Sequence, residues 1–178
     1  MEKEEFAIIL DYLPHGYPLE KKMMPLAQAV GEKNLVLLEL VPRKGIPLEI
    51  GEKVYIGDGK RDKVYYILGR MQREKITEGA KKELEKVIEK IVKENETRFI
   101  EFFNKSESIN RRIHQIELLP GLGKKYVHEI IEQRNIKPFE SFEDMKKRIK
   151  NLPLPERAVE KRILQELTNV ERHNLFTK

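Results

Sequence analysis

The sequence predicts an α+β protein of two domains: a small OB-like β-barrel with one long amphipathic helix, followed by an all-helical domain. Short apolar runs rich in β-formers, separated by Gly and Pro, dominate the first part of the chain. One long stretch of helical periodicity follows them, and beyond residue 104 the apolar residues recur only at helical spacing. We therefore expect a barrel domain at 1–104 and a helical domain at 105–178.

Four apolar runs ahead of the long helix are expected to be strands. They are EFAIILDYL at 5–13, NLVLLELV at 34–41, EKVYIG at 52–57 and KVYYILGRM at 63–71. Asp58 and Gly59 lie between the last two runs, and this dipeptide is typical of a hairpin turn. PLAQAV at 25–30 fits either one helical turn or a loop.

The long helix is expected over residues 77–95, where apolar residues follow the i, i+4, i+7 spacing of one helix face. Thr77 can cap its N-terminus. RFIEFF at 98–103 is rich in aromatic residues and is expected to be the strand that closes the sheet. Four or five short strands with one helix suit a barrel of the OB type, and an SH3-like barrel with an appended helix would give the same pattern.

Short helices are expected in the C-terminal part. Ile109, Ile113 and Ile116 share one helix face, and a second helix follows the glycines and ends at Pro138. Ser141 with Asp144 indicates a capped short helix. The last helix is expected after two prolines, with an apolar stripe of Val159, Ile163, Leu164 and Leu167.

Composition and charge narrow the classes of function. The chain has 178 residues, of which 37% are charged and none is cysteine, which excludes disulfides and thiolate metal sites. Residues 1–104 carry 19 basic and 19 acidic side chains, whereas residues 105–178 carry 16 and 11, so the net charge of +5 lies in the C-terminal part. A basic excess confined to one part favours a polyanionic partner. The chain shows no signal-peptide pattern and no apolar run near the roughly 18 residues of a membrane span, so we expect a cytoplasmic protein without a membrane partner.

Residues 118–134, LLPGLGKKYVHEIIEQR, carry the most specific pattern. Gly121 permits a tight turn between two helices, and Gly123 lets a partner approach the backbone closely. The first amides of the following helix have no internal acceptor, which makes an anion site. Lys124 and Lys125 are each unfavourable by about 0.3–1 kcal/mol beside the positive end of the helix dipole, unless an external anion lies there. A nucleic-acid phosphate fits this arrangement, and the alternative is an ordinary helical hairpin with solvated lysines.

This string resembles the helix-hairpin-helix motif of nucleic-acid-binding proteins. The resemblance implies that the amides of Gly121, Gly123 and Lys124 bind a backbone phosphate, with Lys125 beside them, and that Leu122 anchors the turn in the core.

The same resemblance implies a monovalent ion, K⁺ or Na⁺, at the carbonyl oxygens of Glu117, Leu119 and Leu122. No other cofactor is expected.

A second, weaker copy of the hairpin is NLPLPERAVEKRILQEL at 151–167. Its glycine positions hold Pro153 and Pro155. Because proline has no N–H but suits the first position of a helix, this copy is expected to keep the fold and lose the phosphate chemistry. Residues 109–167 thus resemble a paired helix-hairpin-helix domain whose second hairpin is degenerate.

The resemblance extends over nearly the whole chain. YLPHG at 12–16, VYIGDGKRDKVYYILGR at 54–70 and the hairpin segment are similar to an uncharacterised archaeal family described as predicted RNA- or nucleic-acid-binding proteins with an OB-like domain. It implies a nucleic-acid partner, with RNA favoured over DNA, and supplies no reaction.

Further cations flank the hairpin. Arg111 and Arg112 are expected on the helix before it, facing away from the apolar stripe and near the same phosphate, and a solvated helix face is the alternative. A basic run follows at Lys146, Lys147, Arg148 and Lys150.

The barrel offers Lys60, Arg61 and Tyr65 as candidate contacts, because aromatic rings beside cations suit base stacking. Tyr66 is expected on the opposite face of the strand from Tyr65, since side chains alternate along a strand.

Catalytic residues are not expected. The four histidines show no metal-ligand spacing. One alternative is a metal-dependent nuclease using Asp11, Glu39, Asp58 and Asp62. Another is a protein–protein module of the translation or transcription machinery. The sequence favours a non-enzymatic protein that binds phosphate through its hairpin without reading base sequence.

Overall fold

The structure, a computed structural model, describes residues 2–178. Five strands form one antiparallel half-barrel sheet in the order β4-β1-β2-β3-β5. The strands are β1 (Phe6–Leu13), β2 (Leu26–Gly31), β3 (Leu37–Pro42), β4 (Lys53–Tyr55) and β5 (Val64–Arg70). The α-helices are α1 (Glu78–Glu94), α2 (Glu96–Lys105), α3 (Lys124–Ile136), α4 (Phe142–Arg148) and α5 (Pro155–Thr168).

The centre of the sheet is formed by β2 and β3, whose residues are all buried. The run at 25–30 corresponds to β2, so both structures expected for it, a helical turn and a loop, are wrong. Ala and Gln are weak β-formers, which hides this strand from propensity. Burial decides instead, since Ala27 and Ala29 pair with Leu40 and Leu38 in the core of the sheet.

The four strands predicted ahead of the long helix are confirmed as β1, β3, β4 and β5. The hairpin expected at Asp58 and Gly59 is wrong, because β4 pairs with β1 whereas β5 pairs with β3 at the other edge of the sheet. Asp58 and Gly59 instead lie in a bend, where the amide of Gly59 donates to the phenol oxygen of Tyr55 at 2.9 Å.

The long helix is confirmed as α1. Its predicted apolar stripe is buried along the whole length, at Ala80, Leu84, Val87, Ile88, Ile91 and Val92. Thr77 caps the helix, since its hydroxyl oxygen accepts the amide of Ala80 at 3.0 Å. The side chain of Gln28 also accepts the amide of Thr77, at 3.1 Å, which ties the start of α1 to the sheet.

The strand expected at 98–103 is wrong, because this segment lies within α2. Aromatic residues favour strands by propensity, but the buried residues are Phe99, Ile100 and Phe103. Their spacing follows one face of a helix and not the alternation of a strand. The sheet is therefore left without a closing strand.

The helix expected ahead of the hairpin is also wrong. Residues 109–113 form a turn closed by a bridge between Ser108 and His114, and a 3₁₀ turn follows at Gln115–Leu118. The side-chain oxygen of Asn110 accepts the amides of Arg112 and Ile113 at 2.8 and 3.0 Å. Such local side-chain bonds compete with helical ones, which explains the turn.

The remaining predicted helices are confirmed as α3, α4 and α5. The hydroxyl of Ser141 accepts the amide of Asp144 at 2.9 Å, and the Asp144 carboxylate accepts the amide of Glu140 at 3.0 Å, so the predicted capping pair is present. In α5, Val159, Ile163 and Leu167 are buried as expected.

Two compact units are present: residues up to Val87 together with Glu166–Lys178, and residues Ile88–Gln165. The predicted fold class is wrong, because the chain has a single half-barrel sheet with five helices and not a separate OB barrel followed by an all-helical domain. Both α1 and α5 contribute residues to each unit. The predicted domain division at 104 and 105 falls inside the second unit and stays a prediction. Within residues 2–178, none of the helices has the length and apolar character needed to cross a bilayer.

Candidate nucleic-acid interface

The hairpin loop at 119–123 is anchored by two leucines. Leu119 and Leu122 are each only 2% exposed, and the amide of Leu122 donates to the carbonyl oxygen of Leu119 at 3.2 Å. The amide of Leu119 in turn donates to Ile116 at 3.1 Å, which joins the loop to the 3₁₀ turn. The expected role of Leu122 as the core anchor of the turn agrees with its burial.

The two glycines lie outside the core and have different backbone conformations. Gly121 has a φ of +85°, in the left-handed region that side chains disfavour. Gly123 has an ordinary φ of −77° and is the N-cap of α3. A Cβ added at either glycine would meet no atom within 4 Å. The loop therefore presents an open strip of backbone.

The start of α3 carries free backbone donors. The amides of Tyr126 and Val127 both donate to the carbonyl of Gly123, at 3.0 and 3.2 Å. By contrast, the amides of Gly121, Gly123, Lys124 and Lys125 donate to no acceptor within residues 2–178. The first turn contains no acidic residue, and Gly123 offers no side-chain cap. These donors are therefore available to an external anion.

The two lysines after the glycines are exposed and form no ion pair within the described chain, residues 2–178. The Nζ of Lys125 lies 5.8 Å from the ring centroid of Tyr126, and Lys124 extends into solvent. Among residues 2–178, five other lysines pair with a carboxylate three or four residues away, and these two do not. Two positive charges thus lie beside the free amides with no internal anion.

Arg111 and Arg112 lie in the turn described above and not on a helix, so that expectation is corrected. Both are exposed. The turn is held by a bond from the amide of Ile109 to the carbonyl of Ile113, at 2.8 Å. The two arginines are in the same compact unit as the hairpin, and their contact with phosphate stays a prediction.

The 3₁₀ turn before the loop depends on His114, whose Nδ1 accepts the amide of Ile116 at 3.2 Å. Burial lowers the pKa of His114, and the charge of Arg134 lowers it further, against an opposing effect of Glu117. The imidazole is buried, and only its neutral form can accept this amide.

The carbonyl oxygens expected to hold K⁺ or Na⁺ are of the type that hard cations prefer. That of Leu119 already accepts the amide of Leu122, whereas that of Glu117 lies in the preceding 3₁₀ turn and that of Leu122 lies in the loop. The monovalent ion stays a prediction.

The second hairpin turns at Asn151, whose φ is +59°, and not at the prolines. The phenol of Tyr126 donates to the carbonyl oxygen of Asn151 at 2.9 Å. Sequence comparison with the first hairpin missed this residue, although Asn is the residue type besides Gly that most readily adopts a left-handed conformation. Pro155 is the first residue of α5, as expected from its missing N–H.

The basic run after α3 separates into structural and free cations. Lys146 pairs with Glu156 at 3.1 Å and also with Glu143. Arg148 pairs with Asp144 at 3.2 Å and donates to the carbonyl of Lys137 at 2.7 Å. Exposed side chains remain at Lys147 and Lys150.

The three candidate contacts in the first unit differ in how available their side chains are to a partner. Lys60 is exposed, whereas the Arg61 side chain is held by a bond from its Nε to the carbonyl of Gly57 at 2.8 Å. Tyr65 is 64% exposed. Its ring lies against that of Tyr66, with centroids 5.4 Å apart, so the expectation that the two rings occupy opposite faces is wrong.

Sequence reasoning missed a groove of about 750 Å³ that Tyr65 and Tyr66 line together. Tyr12 and two cations, Arg43 and Lys44, also line it. The sequence contains no signal for this groove. The two tyrosines come together because β5 has an extra residue in its pairing with β3, and the alternation of side chains along a strand does not reveal such a residue.

Three of the four carboxylates of the nuclease alternative are engaged with separate partners, and the fourth, Asp62, is exposed. Asp11 accepts the hydroxyl of Thr77, Glu39 accepts the phenol of Tyr17 at 2.8 Å, and Asp58 pairs with Lys3 at 3.2 Å. Within residues 2–178, three or more His, Asp or Glu side chains never gather in a way that could hold a metal ion. The expectation that the protein is not an enzyme stays a prediction.

Comparison with known proteins identifies the family. Residues 3–178 match the family described as "Protein of unknown function (DUF655)". The chain is 44% identical over 177 residues to Uncharacterized protein MJ0038 of Methanocaldococcus jannaschii, covering 98% of this chain and 80% of that protein. It is also similar to the crystal structure of Af1531 from Archaeoglobus fulgidus, with a TM-score of 0.86 and 46% identity over 98% of this chain and 100% of that chain. The expected kinship with an uncharacterised archaeal family is confirmed. The chain belongs to the DUF655 family.

Proposed function

We propose that this protein binds nucleic acid by holding a backbone phosphate at the loop 119–125. The observation that supports it best is the set of four amides without an acceptor in residues 2–178, at the exposed residues Gly121, Gly123, Lys124 and Lys125. Two unpaired lysine side chains lie at the same helix N-terminus. A phosphate would accept hydrogen bonds from these amides. Its negative charge would also attract the two lysines, which offsets their repulsion by the positive end of the helix dipole.

Binding of this kind does not read base sequence, because every nucleotide carries the same phosphate. We expect non-specific affinity of about 10⁻⁴–10⁻⁶ M at physiological salt. Arg111 and Arg112, exposed in the same unit, would add further phosphate contacts. RNA is the proposed partner in preference to DNA, and this preference is supported only by the resemblance stated above.

The test is fluorescence-anisotropy binding to single- and double-stranded RNA and DNA of equal length, over a salt series. Wild type is compared with the double variant K124E/K125E. The matched control is K82E/K86E, which makes the same change in charge at two exposed lysines of α1 that form no ion pair within residues 2–178.

We expect K124E/K125E to bind at least about tenfold more weakly and to show a shallower salt dependence. Its logarithmic slope should fall by about 0.7–0.9 for each phosphate that the protein no longer neutralises. The control should retain its slope. Equal losses of affinity in both double variants would mean that only net charge matters and would contradict the proposal. Absence of binding by wild type at low salt would favour a protein-binding module instead.

A further inference from the structure

The groove in the first unit is assembled from separate parts of the chain. Tyr12 comes from β1, Met24 and Pro25 come from the segment before β2, and Tyr65 and Tyr66 come from β5. The end of β3 and the loop 43–47 complete it. Its volume, about 750 Å³, is within the roughly 300–1,000 Å³ of pockets that bind drug-sized ligands.

A β-bulge places the two adjacent tyrosines in this groove. In the pairing of β3 with β5, Tyr66 lies opposite Val41 and Val64 lies opposite Pro42, so Tyr65 is an extra residue. A bulge of this type redirects a side chain that would otherwise point to the other face. The result is a pair of tyrosine rings at an interplanar angle of 72°, with Tyr65 largely exposed.

The charge of the groove is positive. Arg43 and Lys44 line it, and its lining in the described chain includes no carboxylate. The Nε of Arg43 donates to the carbonyl of Arg61 at 2.7 Å, which fixes the guanidinium in place and leaves its other nitrogens without a partner in residues 2–178. Lys44 is exposed and unpaired within the same residues.

We propose, on the basis of the nucleic-acid function proposed above, that this groove binds unpaired bases of a single-stranded nucleic acid. The exposed ring of Tyr65 stacks on a base, the apolar floor excludes water from it, and Arg43 and Lys44 meet the adjoining phosphates. Aromatic rings with nearby cations form the sites that bind single strands without reading their sequence.

A single strand is the occupant that matches this chemistry. Bases in a duplex are stacked on one another and are not free to enter a groove, whereas unpaired bases present both faces. An apolar protein segment would fit the floor of the groove, but it would carry no anion to pair with the two cations. A second copy of the chain and a partner protein are therefore outcomes of the test.

The experiment measures binding of a short single-stranded RNA that carries 2-aminopurine, and of the duplex of the same sequence, by anisotropy and by base fluorescence. The variants are Y65A, Y65F and the control L68A, which removes an exposed apolar side chain of the same strand outside the groove. We expect Y65A to lose roughly tenfold or more in single-strand affinity, together with the quenching that stacking causes, and to bind the duplex unchanged. Y65F and L68A should behave as wild type.

The hairpin variant K124E/K125E separates this proposal from the preceding one. If Y65A binds the single strand like wild type while K124E/K125E is impaired, the groove proposal is overturned and the phosphate proposal survives. If K124E/K125E binds normally and Y65A does not, the groove is retained and the hairpin is not. If Y65A changes only self-association in sedimentation or capture of a protein partner, the groove proposal is overturned.

Discussion

The phenol of Tyr126, in the first turn of α3, donates a hydrogen bond to the carbonyl oxygen of Asn151, with 2.9 Å between the two oxygens. Asn151 is the left-handed residue of the second hairpin. One bond thus connects the helix start that carries the free amides to the turn that precedes α5. The prolines of the second hairpin have no N–H to offer a phosphate. Its role is structural, because this bond helps to position the first hairpin.

Removing this bond should weaken the fold slightly. Tyr126→Phe keeps the ring and deletes the donor, so we expect the free energy of unfolding to fall by about 0.5–1.5 kcal/mol, toward the lower end because the bond is exposed. Urea denaturation followed by circular dichroism measures it. A loss far above this range would mean that Tyr126 supports more than one contact.

The two glycines of the loop should respond differently to alanine. Gly121→Ala forces a side chain into a φ of +85° and should cost about 1–2 kcal/mol of stability. Gly123→Ala has an ordinary φ and open space, so its stability should stay near that of wild type.

Gly123→Ala, which should leave stability nearly unchanged, should nevertheless weaken nucleic-acid binding. A Cβ there obstructs close approach of a phosphate, and loss of one hydrogen bond to a charged group is worth about 1.5–3 kcal/mol, or at least about tenfold in affinity. Thermal denaturation and anisotropy on the same samples give both quantities. Unchanged affinity of a folded Gly123→Ala variant would place the phosphate elsewhere.

Two neighbouring cations of the basic run should differ in their effect on stability. Arg148 pairs with Asp144, donates to two main-chain carbonyls and lies 4.6 Å from the ring centroid of Phe139. Arg148→Met should lower the free energy of unfolding by about 1.5–3 kcal/mol. The matched change Lys150→Met, at an exposed lysine, should stay within about 0.5 kcal/mol of wild type. Equal effects in urea denaturation would show that Arg148 is not structural.

Acid should destabilise the protein through His114, beginning near pH 6.5. The folded-state pKa of His114 is lowered from its ordinary 6.5, so the unfolded chain binds a proton first as the pH falls. Stability is therefore lost as the pH falls below the unfolded pKa, and the loss levels off below the folded pKa.

The comparison is wild type against His114→Asn, which can still accept the amide of Ile116 but does not titrate. Midpoints of urea denaturation measured between about pH 7.5 and pH 5.5 should fall more steeply for wild type, because only wild type has the buried imidazole at position 114. Parallel slopes would mean that the buried imidazole does not control this pH dependence.

Long periodic segments of this fold could be predicted from sequence, and short ambiguous ones could not. Helix α1 repeats one apolar face over its whole length, which no strand pattern can imitate. The segment 98–103 is too short to separate strand from helix, so aromatic propensity gave the wrong answer. β2 was missed because its small buried residues owe their conformation to partners distant in sequence.

The loop at 119–123 and the start of α3 were predictable, unlike the helix expected ahead of them, because their features are local. Glycines, capping position and lysines are consecutive, so the sequence alone places the free amides together. The turn holding Arg111 and Arg112 was not predicted, since one Asn110 side chain diverts the backbone from a helix. The groove depends on the register of β3 against β5, which is a property of the folded sheet.

Amide chemical shifts test the phosphate proposal most directly. Wild-type protein labelled with ¹⁵N would be titrated with a short single-stranded RNA while its amide resonances are recorded. We expect the largest shifts at the amides of Gly121, Gly123 and Lys124, which have no acceptor within residues 2–178. If RNA binds and these three resonances do not move while others do, the hairpin does not hold the phosphate.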